Sequence, residues 1–315
     1  MATIKDVARL AGVSTSTASR AMHDNHMISE ATKERVRQAM IELDYSPNFS
    51  AQNLANRKNN TIGIILPVRE SQDSLGNNPF FMQMIQGISS ICTDYRYIVS
   101  LATGRTEEEL LVNVQNLIRS NRVEKFIFLC SKTDDVVFDF VKQEKVDCVV
   151  VGQSYVEDTG STYFVDNDNR KAGQDVTKFL LEKGYQRITY AYTNMDELAQ
   201  AERYMGYASE SKAHHQRAQT HHLSRVDEEK NGHLLKNFLE KQQTQAFIAC
   251  DDIMAVRLQR LFKKIGVESD CCAIIAFNNS MIAEIATPAL TSVEVFPYEL
   301  GEKAAEVIPY SSSNY

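Results

Sequence analysis

The side chains near the start of this 315-residue chain that could do chemistry are hydroxyls and one guanidinium. Thr15, Ser16, Ser19 and Arg20 fall on the outer side of a short predicted helix, opposite Ala18, Ala21 and Met22. Small hydroxyl side chains let a helix backbone sit deep in a DNA major groove, and an arginine there reaches a guanine edge or a phosphate. A plain three-helix bundle with a solvated polar face would use the same pattern. Other candidates are fewer. Cys92, Cys130, Cys148, Cys250, Cys271 and Cys272 are scattered, with no C-x-x-C pair to support zinc or dithiol chemistry, so buried reduced thiols are expected. His214, His215, His221 and His222 crowd one polar stretch. It reads as a solvated connector, because no cysteine or regular acidic spacing makes it a metal site. The motifs G-x-S-x-G, G-x-x-x-x-G-K-S/T, H-E-x-x-H and G-x-G-x-x-G are absent. Catalytic residues, metal and cofactor are therefore not expected.

The elements that must position these groups follow from periodicity. Ile4, Val7, Ala8 and Ala11 have i, i+3, i+4, i+7 spacing, Thr3 and Asp6 suit a capping box, and Gly12 suits a left-handed helix end. Ser14 then caps a helix to about Met22, and a third helix runs from Ser29 to about Leu43 with Val36, Met40 and Leu43 inward. A short helix, a glycine turn and a helix with a small polar outer face make a helix-turn-helix plan. From Thr61 onward, short apolar runs such as Thr61–Leu66, Lys125–Cys130, Cys148–Val151 and Ala246–Cys250 alternate with amphipathic helices. That alternation predicts parallel sheets covered by helices on both faces, about ten strands in two layers. Ligands of such folds bind at the carboxyl ends of the strands. The net charge of -7 alone argues against nucleic acid, but residues 1–60 carry eight Lys/Arg against six Asp/Glu. A mildly basic head on an acidic body is the implied asymmetry. No apolar run is long enough for a membrane helix, and no secretory leader is visible, so a cytoplasmic protein with no membrane partner is expected.

Thr3-Ile4-Lys5-Asp6-Val7-Ala8, Ala11-Gly12-Val13-Ser14, Thr17-Ala18-Ser19-Arg20, Ile28-Ser29, Arg35-Val36, Tyr45-Ser46-Pro47-Asn48 and Leu54-Ala55 stand in this order. Together they resemble the DNA-binding head of the lactose-repressor/galactose-repressor family over about 60 residues. Ala18 departs from the usual valine. The resemblance implies that Thr15, Ser16 and Arg20 read bases and that Ser14, Ser19, Ser29 and Asn48 meet the DNA backbone. Ile4, Tyr45 and Ala51 join the DNA-binding set, and residues 48–56 form a hinge helix that drives Leu54 into the minor groove. An apolar wedge of that kind unstacks a base step and kinks DNA.

The body is similar to the family's periplasmic-binding-protein-like core over residues 61 to about 308. The matching pieces include Asn78-Pro79-Phe80-Phe81, Val165-Asp166-Asn167-Asp168, Arg203 with Gly206-Tyr207, Cys250-Asp251-Asp252 and Phe277-Asn278-Asn279. By this resemblance Asn78, Arg203, Asp251 and Asn278 face an effector cleft, with Phe80, Phe81 and Phe296 as aromatic platforms. Guanidinium, carboxylate and amide groups suit sugar hydroxyls, and aromatic faces cover a sugar ring. For each phenylalanine, core packing is as good a reading. Two acids usual in the family are replaced, by Gly152-Gln153 and by Asn278, which leaves room for a larger ligand. Asn77–Phe81, Ala102–Arg105, Val151–Ser154 and Val165–Asn169 are most similar to the maltose-operon repressors of Gram-positive bacteria.

These readings assign 1–47 to the head and 48–60 to hinge and linker. They assign 61–161 with about 293–308 to a first core subdomain, 162–292 to a second, and 309–315 to an atypical or truncated tail. The fold class expected is α plus α/β. The resemblance implies a homodimeric repressor whose partners are operator DNA and a small carbohydrate, maltose or a relative, that releases it. The alternatives are a catabolite regulator acting with a phosphocarrier protein, and a sugar-binding protein that does not bind DNA.

Overall fold

Three short helices build the head, and each begins at a cap that its sequence supplies. The backbone N–H and hydroxyl of Thr3 both donate to the Asp6 carboxylate, at 3.0 and 2.7 Å, opening α1 (Ile4–Leu10). Gly12, at φ +65°, turns the chain where a side chain would be strained. The Ser14 hydroxyl accepts the Thr17 N–H at 3.1 Å and starts α2 (Thr15–Met22). Ser29 accepts from Thr32 and starts α3 (Glu30–Glu42). Val7, Ala8, Ala11, Ala18, Ala21, Val36 and Ala39 form the core, with Ile4, Val13, Met40, Leu43 and Tyr45 packed around it. Ala18 is fully buried, so the missing valine methyls belong to the packing of the head and not to its DNA face. Buried Lys33 pairs with Glu30 at 2.7 Å and Asp24 at 3.0 Å, tying the loop before α3 to that helix.

The computed structural model describes residues 2–22, 24–45, 60–68, 78–120, 122–154, 162–224, 228–268 and 271–308. The chain divides into two units, one up to residue 59 and one over 60–310. The hinge segment from 48 to 59 and the tail from 309 lie outside the described residues, as do Asn48, Ala51 and Leu54.

The larger unit holds two parallel five-stranded sheets. The first contains β1 (Thr61–Ile65), β2 (Ile98–Ala102), β3 (Lys125–Phe128), β4 (Cys148–Val151) and β5 (Thr162–Val165), in the order β2-β1-β3-β4-β5. The second contains β6 (Ile188–Tyr192), β7 (Gln219–His222), β8 (Ala246–Ala249), β9 (Ala273–Asn278) and β10 (Thr291–Glu294), in the order β10-β9-β8-β6-β7. The two orders are one pattern used twice, each reversing direction after its first strand. β3, β4 and β8 are buried along their whole length, which is why β4 and β8 read as unbroken apolar runs and β3 as one after Lys125. The helices are α4 (Pro79–Asp94), α5 (Glu107–Arg119), α6 (Val136–Gln143), α7 (Asn169–Glu182), α8 (Leu198–Ala213), α9 (Glu228–Gln242), α10 (Asp252–Lys264), α11 (Met281–Ile285) and α12 (Pro297–Val307).

Two apolar clusters flank the first sheet. One joins Ile62, Ile64, Met84 and Ile88 to Leu300 and Ala304; the other joins Phe126, Phe128, Leu110 and Val141. The second sheet has a single core around Tyr190, Tyr207, Phe247, Phe262 and Phe277. Side chains of this size each contribute about 1.5–3 kcal/mol when fully buried. Two local differences from the sequence reading concern the subdomain limits. β5 pairs with β4, so the first sheet continues to residue 165, not 161. β10 pairs with β9, so the chain returns to the first sheet only at α12. A third concerns the histidines. His221 and His222 are not in a connector but in β7, an edge strand paired with β6. His221 is buried against Phe238, ring centroids 4.6 Å apart.

Candidate functional site

On the head, Thr15, Ser16 and Arg20 are exposed together on the outer face of α2, and Ser19 is half-buried beside them. Ser14 shares hydrogen bonds of 2.8 Å with the hydroxyls of Ser16 and Thr17, so it organises the first turn of α2 as well as capping it. Ser29 is exposed at the start of α3. Ile4 and Tyr45 are half-buried against the head core, which gives both a packing role.

Most of the effector residues expected from the sequence come together in one place. Asn78, Phe80, Phe81, Arg203, Asp251 and Asn278 line a small chamber of about 90 Å³ between the carboxyl ends of the two sheets. The local reasons differ. Asn78 caps α4, accepting the Phe80 N–H at 3.1 Å, and Pro79 at the first helical position fixes the entry. Phe80 and Phe81 meet edge to face at 5.4 Å. Asp251 caps α10, accepting the Met254 N–H at 2.7 Å. Asn278 ends β9 at φ +97°, a left-handed conformation that asparagine tolerates better than most side chains. Its neighbour Asn279 donates its backbone N–H to the Ser292 hydroxyl at 2.9 Å. Buried Asp252 accepts from the Ser280 N–H and the Ser292 hydroxyl, at 2.7 and 2.6 Å, fastening α10 to β10 and α11. Burial raises the pKa of that carboxyl above its ordinary value.

Arg203 is the anchor. Gly173 and Gly206 let α7 and α8 cross at backbone contact, since a Cβ on either would run into the Arg203 or Arg170 carbonyl. The buried guanidinium donates from Nε to Asn169 Oδ1 at 2.8 Å and from an Nη to the Cys250 carbonyl at 2.7 Å. It also lies 4.3 Å over the Phe277 ring. An arginine has five N–H donors in a fixed fork, two of which are used in these bonds, and the residue lines the chamber. Phe296 does not join the group. At φ +52° it sits just before α12 and the residue is 54% exposed, and Val295 and Leu300 line the chamber on either side of it in sequence.

Three further residues belong to the site although only the structure shows it. Asp166 lies in the chamber wall, where burial pushes its pKa up to about 6. Hydrogen bonds from the Asn167 N–H at 2.8 Å and the Asn169 amide at 3.0 Å oppose that rise, as does the Arg203 charge. Asn169, read from sequence only as part of a motif, links Asp166 to Arg203. Ser131 is buried, and its hydroxyl has no hydrogen-bond partner among the described residues. Gly152, at φ +138°, packs directly on that hydroxyl, and a Cβ there would collide with it. An orphan hydroxyl in a polar chamber is a ready partner for a ligand group.

The chamber is closed on one side by a bridge between the two halves. The Thr133 N–H donates to the Asp196 carbonyl at 3.1 Å, and the Leu198 N–H to the Ser131 carbonyl at 3.0 Å. Beyond the bridge lies an outer cavity of about 610 Å³. Among the described residues no cluster of His, Cys, Asp or Glu could hold a metal ion, and no helix is long and apolar enough to cross a membrane.

Comparison with known proteins agrees with this arrangement. Residues 3–48 match the bacterial regulatory proteins of the lacI family, and residues 177–308 match a periplasmic binding protein-like domain. The chain is 31% identical to the HTH-type transcriptional regulator MalR of Staphylococcus xylosus, over 97% of this chain and 90% of that one. It is 25% identical to a solved transcriptional regulator, CelR in complex with cellobiose, with a TM-score of 0.70 over 98% of this chain and 92% of that one. The lac repressor dimer bound to operator shares the fold, at 20% identity and a TM-score of 0.77 over 97% of this chain and 91% of that one. A helix-turn-helix head, two parallel five-stranded sheets facing across a polar chamber and a relative of this identity over nearly the whole chain lead to one conclusion: the protein belongs to the lacI family of bacterial regulatory proteins, DNA-binding transcription regulators with a sugar-binding core.

Proposed function

We propose that the protein is a dimeric repressor of a carbohydrate operon whose effector is maltose or a related glucose saccharide, and that the sugar releases it from its operator. The observation that carries this reading is the convergence of Asn78, Arg203, Asp251 and Asn278 from four separate elements on one chamber beside Phe80 and Phe81. Fixed donors and acceptors next to aromatic rings match a sugar, which offers paired hydroxyls on its edges and C–H groups on its faces. The similarity to MalR of Staphylococcus xylosus supports the choice of maltose.

The mechanism follows from the position of the chamber. Its walls belong to both sheets, so a ligand that bonds to both changes their preferred angle. A ligand shifts an equilibrium only by its differential affinity for the two states, and coupling of this kind amounts to about 1–3 kcal/mol, roughly 5–150-fold. The exposed side chains of Ile98 and Leu101 on edge strand β2 offer apolar surface for a second copy. Two heads would then read two half-sites of a near-palindromic operator, with Thr15, Ser16 and Arg20 on base edges.

Calorimetry against maltose, maltotriose, trehalose, sucrose and galactose, with operator release measured alongside, tests the reading. Binding of maltose or maltotriose with release of DNA is expected. Operator binding that needs a phosphocarrier protein as corepressor and does not respond to sugar would replace it with the catabolite-regulator reading. Sugar binding by a chain with no operator preference would replace it with a binding protein.

A further inference from the structure

One cysteine departs from the expectation of buried thiols. Cys92, Cys148, Cys250 and Cys272 are buried and Cys130 is half-buried, but Cys271 is exposed. Its thiol donates to the sulfur of the next residue, Cys272, at 3.6 Å. The Cys272 thiol in turn donates to the Thr244 carbonyl at 3.1 Å. Two adjacent thiols, one facing solvent and one in the core, thus stand in line just before β9. This is the amino end of the second sheet, away from the chamber at its carboxyl end. Here Ala273 donates its N–H to the Gln245 carbonyl at 3.0 Å, and the Gln245 side chain accepts the N–H groups of Gln186 and Arg187 at 2.9 and 3.1 Å. The loop before β8 therefore clasps the starts of β6 and β9, and Cys272 is bonded to that clasp.

The two thiols differ in what they can do. The thiolate is the nucleophilic form of cysteine, and oxidation follows thiolate character and exposure. Burial pushes the Cys272 thiol up to about 12, so at neutral pH it keeps its proton. Cys271 is the sulfur that an oxidant in solvent meets first. With a hydroperoxide, the Cys271 thiolate attacks one oxygen and the O–O bond breaks. The alcohol leaves with a proton, or water where the oxidant is hydrogen peroxide, and Cys271 becomes a sulfenic acid. The Cys272 sulfur then attacks Cys271 Sγ and the S–O bond breaks, the departing hydroxide leaving as water with the Cys272 proton. One peroxide and two thiols thus become one disulfide, one alcohol and one water, and two electrons pass from sulfur to oxygen. Neighbouring Cα atoms are about 3.8 Å apart, closer than the roughly 4.4 Å or more usual in disulfides, so a bond between adjacent cysteines is readily reduced again.

We infer that Cys271 and Cys272 form a modification site: a hydroperoxide-responsive dithiol that closes to a vicinal disulfide within one chain and is restored by thiols. The inference does not depend on the saccharide reading. Closing the S–S bond takes the Cys272 S–H away from the Thr244 carbonyl and bends the main chain just before Ala273, so the clasp on β9 loosens. For a unit of this size, the loss of one such bond lowers the midpoint of thermal unfolding by about 2–4 °C.

The test is mass spectrometry of the full-length protein after treatment with hydrogen peroxide, with iodoacetamide to label free thiols before tryptic digestion. The tryptic peptide 265–303 carries these two cysteines and no other. In the wild type it should lose two hydrogens, resist iodoacetamide and recover both thiols with dithiothreitol. The thermal midpoint should fall and return in step. Cys271→Ser should leave Cys272 reduced at the same peroxide dose. Cys272→Ala should stop at the sulfenic acid, which dimedone traps on Cys271. A peptide that stays reduced would overturn the inference. So would oxidation of Cys271 to the sulfinic acid with Cys272 still free, or a Cys271 disulfide between two copies on a non-reducing gel. Equal dimedone labelling of wild type and Cys272→Ala would show that Cys272 does not resolve the sulfenic acid, which also sinks it. An unchanged midpoint in fully oxidised protein would overturn the effect on β9.

Discussion

Replacing Arg203 with alanine should impair stability and effector response together, and the size of the first effect follows from its partners. The guanidinium satisfies Asn169 Oδ1 and the Cys250 carbonyl and covers the Phe277 ring. Leaving a buried acceptor without a donor costs about 1–3 kcal/mol. Two such acceptors, less what water recovers in the vacated space, give about 2–5 kcal/mol. A second consequence is electrostatic. The Arg203 charge holds the Asp166 pKa down, so removing it should raise that pKa further above about 6. Urea unfolding of the full chain followed by far-ultraviolet circular dichroism measures the loss of stability, and calorimetric titration with maltose the loss of effector response. An Arg203→Ala protein within about 0.5 kcal/mol of wild type, or one that keeps normal sugar affinity, would show that the guanidinium is not the anchor described here.

Arg20→Ala should weaken operator binding by about 1–3 kcal/mol if the guanidinium makes a bidentate base contact; equal loss on random DNA, measured by fluorescence anisotropy, would reduce Arg20 to a phosphate contact. Gly152→Ala should abolish sugar binding and destabilise the core by about 1–3 kcal/mol, because the new Cβ strikes the Ser131 hydroxyl at a backbone φ of +138°; calorimetry and urea unfolding on the same variant read both. Two groups that contribute to the pH dependence of stability oppose each other. Burial pulls the pKa of His221 down to about 4, so its contribution is full above its ordinary value near 6.5 and is lost as pH falls toward 4. Asp166 acts in the opposite sense: its raised pKa gives a contribution that is full below about 3.8 and lost as pH rises through about 6. His221→Phe should therefore remove a loss of stability on acidification between pH 6.5 and 4, so that relative to wild type the variant gains up to about 2–3 kcal/mol as pH falls. A variant profile parallel to wild type would show that His221 titrates normally.

The strands most legible in the sequence share one physical feature, burial on both faces. β3, β4 and β8 have no solvent side, so their apolar runs could not be mistaken for amphipathic segments. β7 was not legible because the edge strand Gln219-Thr220-His221-His222 buries only one of its histidines, and a strand of four polar residues carries no hydrophobic alternation. The head was readable from its helix starts: Ser14 and Ser29 each accept a backbone N–H, and the Asp6 carboxylate reaches back to the Thr3 N–H. The chamber was legible only through family resemblance, since Asn78, Arg203, Asp251 and Asn278 are separated by long stretches of chain and no local pattern links them. Ser131 and Asp166 were missed for a related reason: an orphan hydroxyl and a desolvated carboxyl are properties of the packed state. Phe296 illustrates the converse. Its aromatic character suited a sugar platform, but with a left-handed backbone just before α12 the residue is exposed and does not line the chamber.

The claim on which this account depends is that a saccharide bound between the two sheets and DNA bound by the head are thermodynamically linked. Linkage is reciprocal, so the factor by which saturating maltose weakens operator affinity must equal the factor by which operator weakens maltose affinity. Measuring both ratios on the full-length protein at one salt concentration is the most direct test. The account predicts equal ratios of roughly 5–150-fold; ratios of one, with both ligands bound tightly and independently, would contradict it.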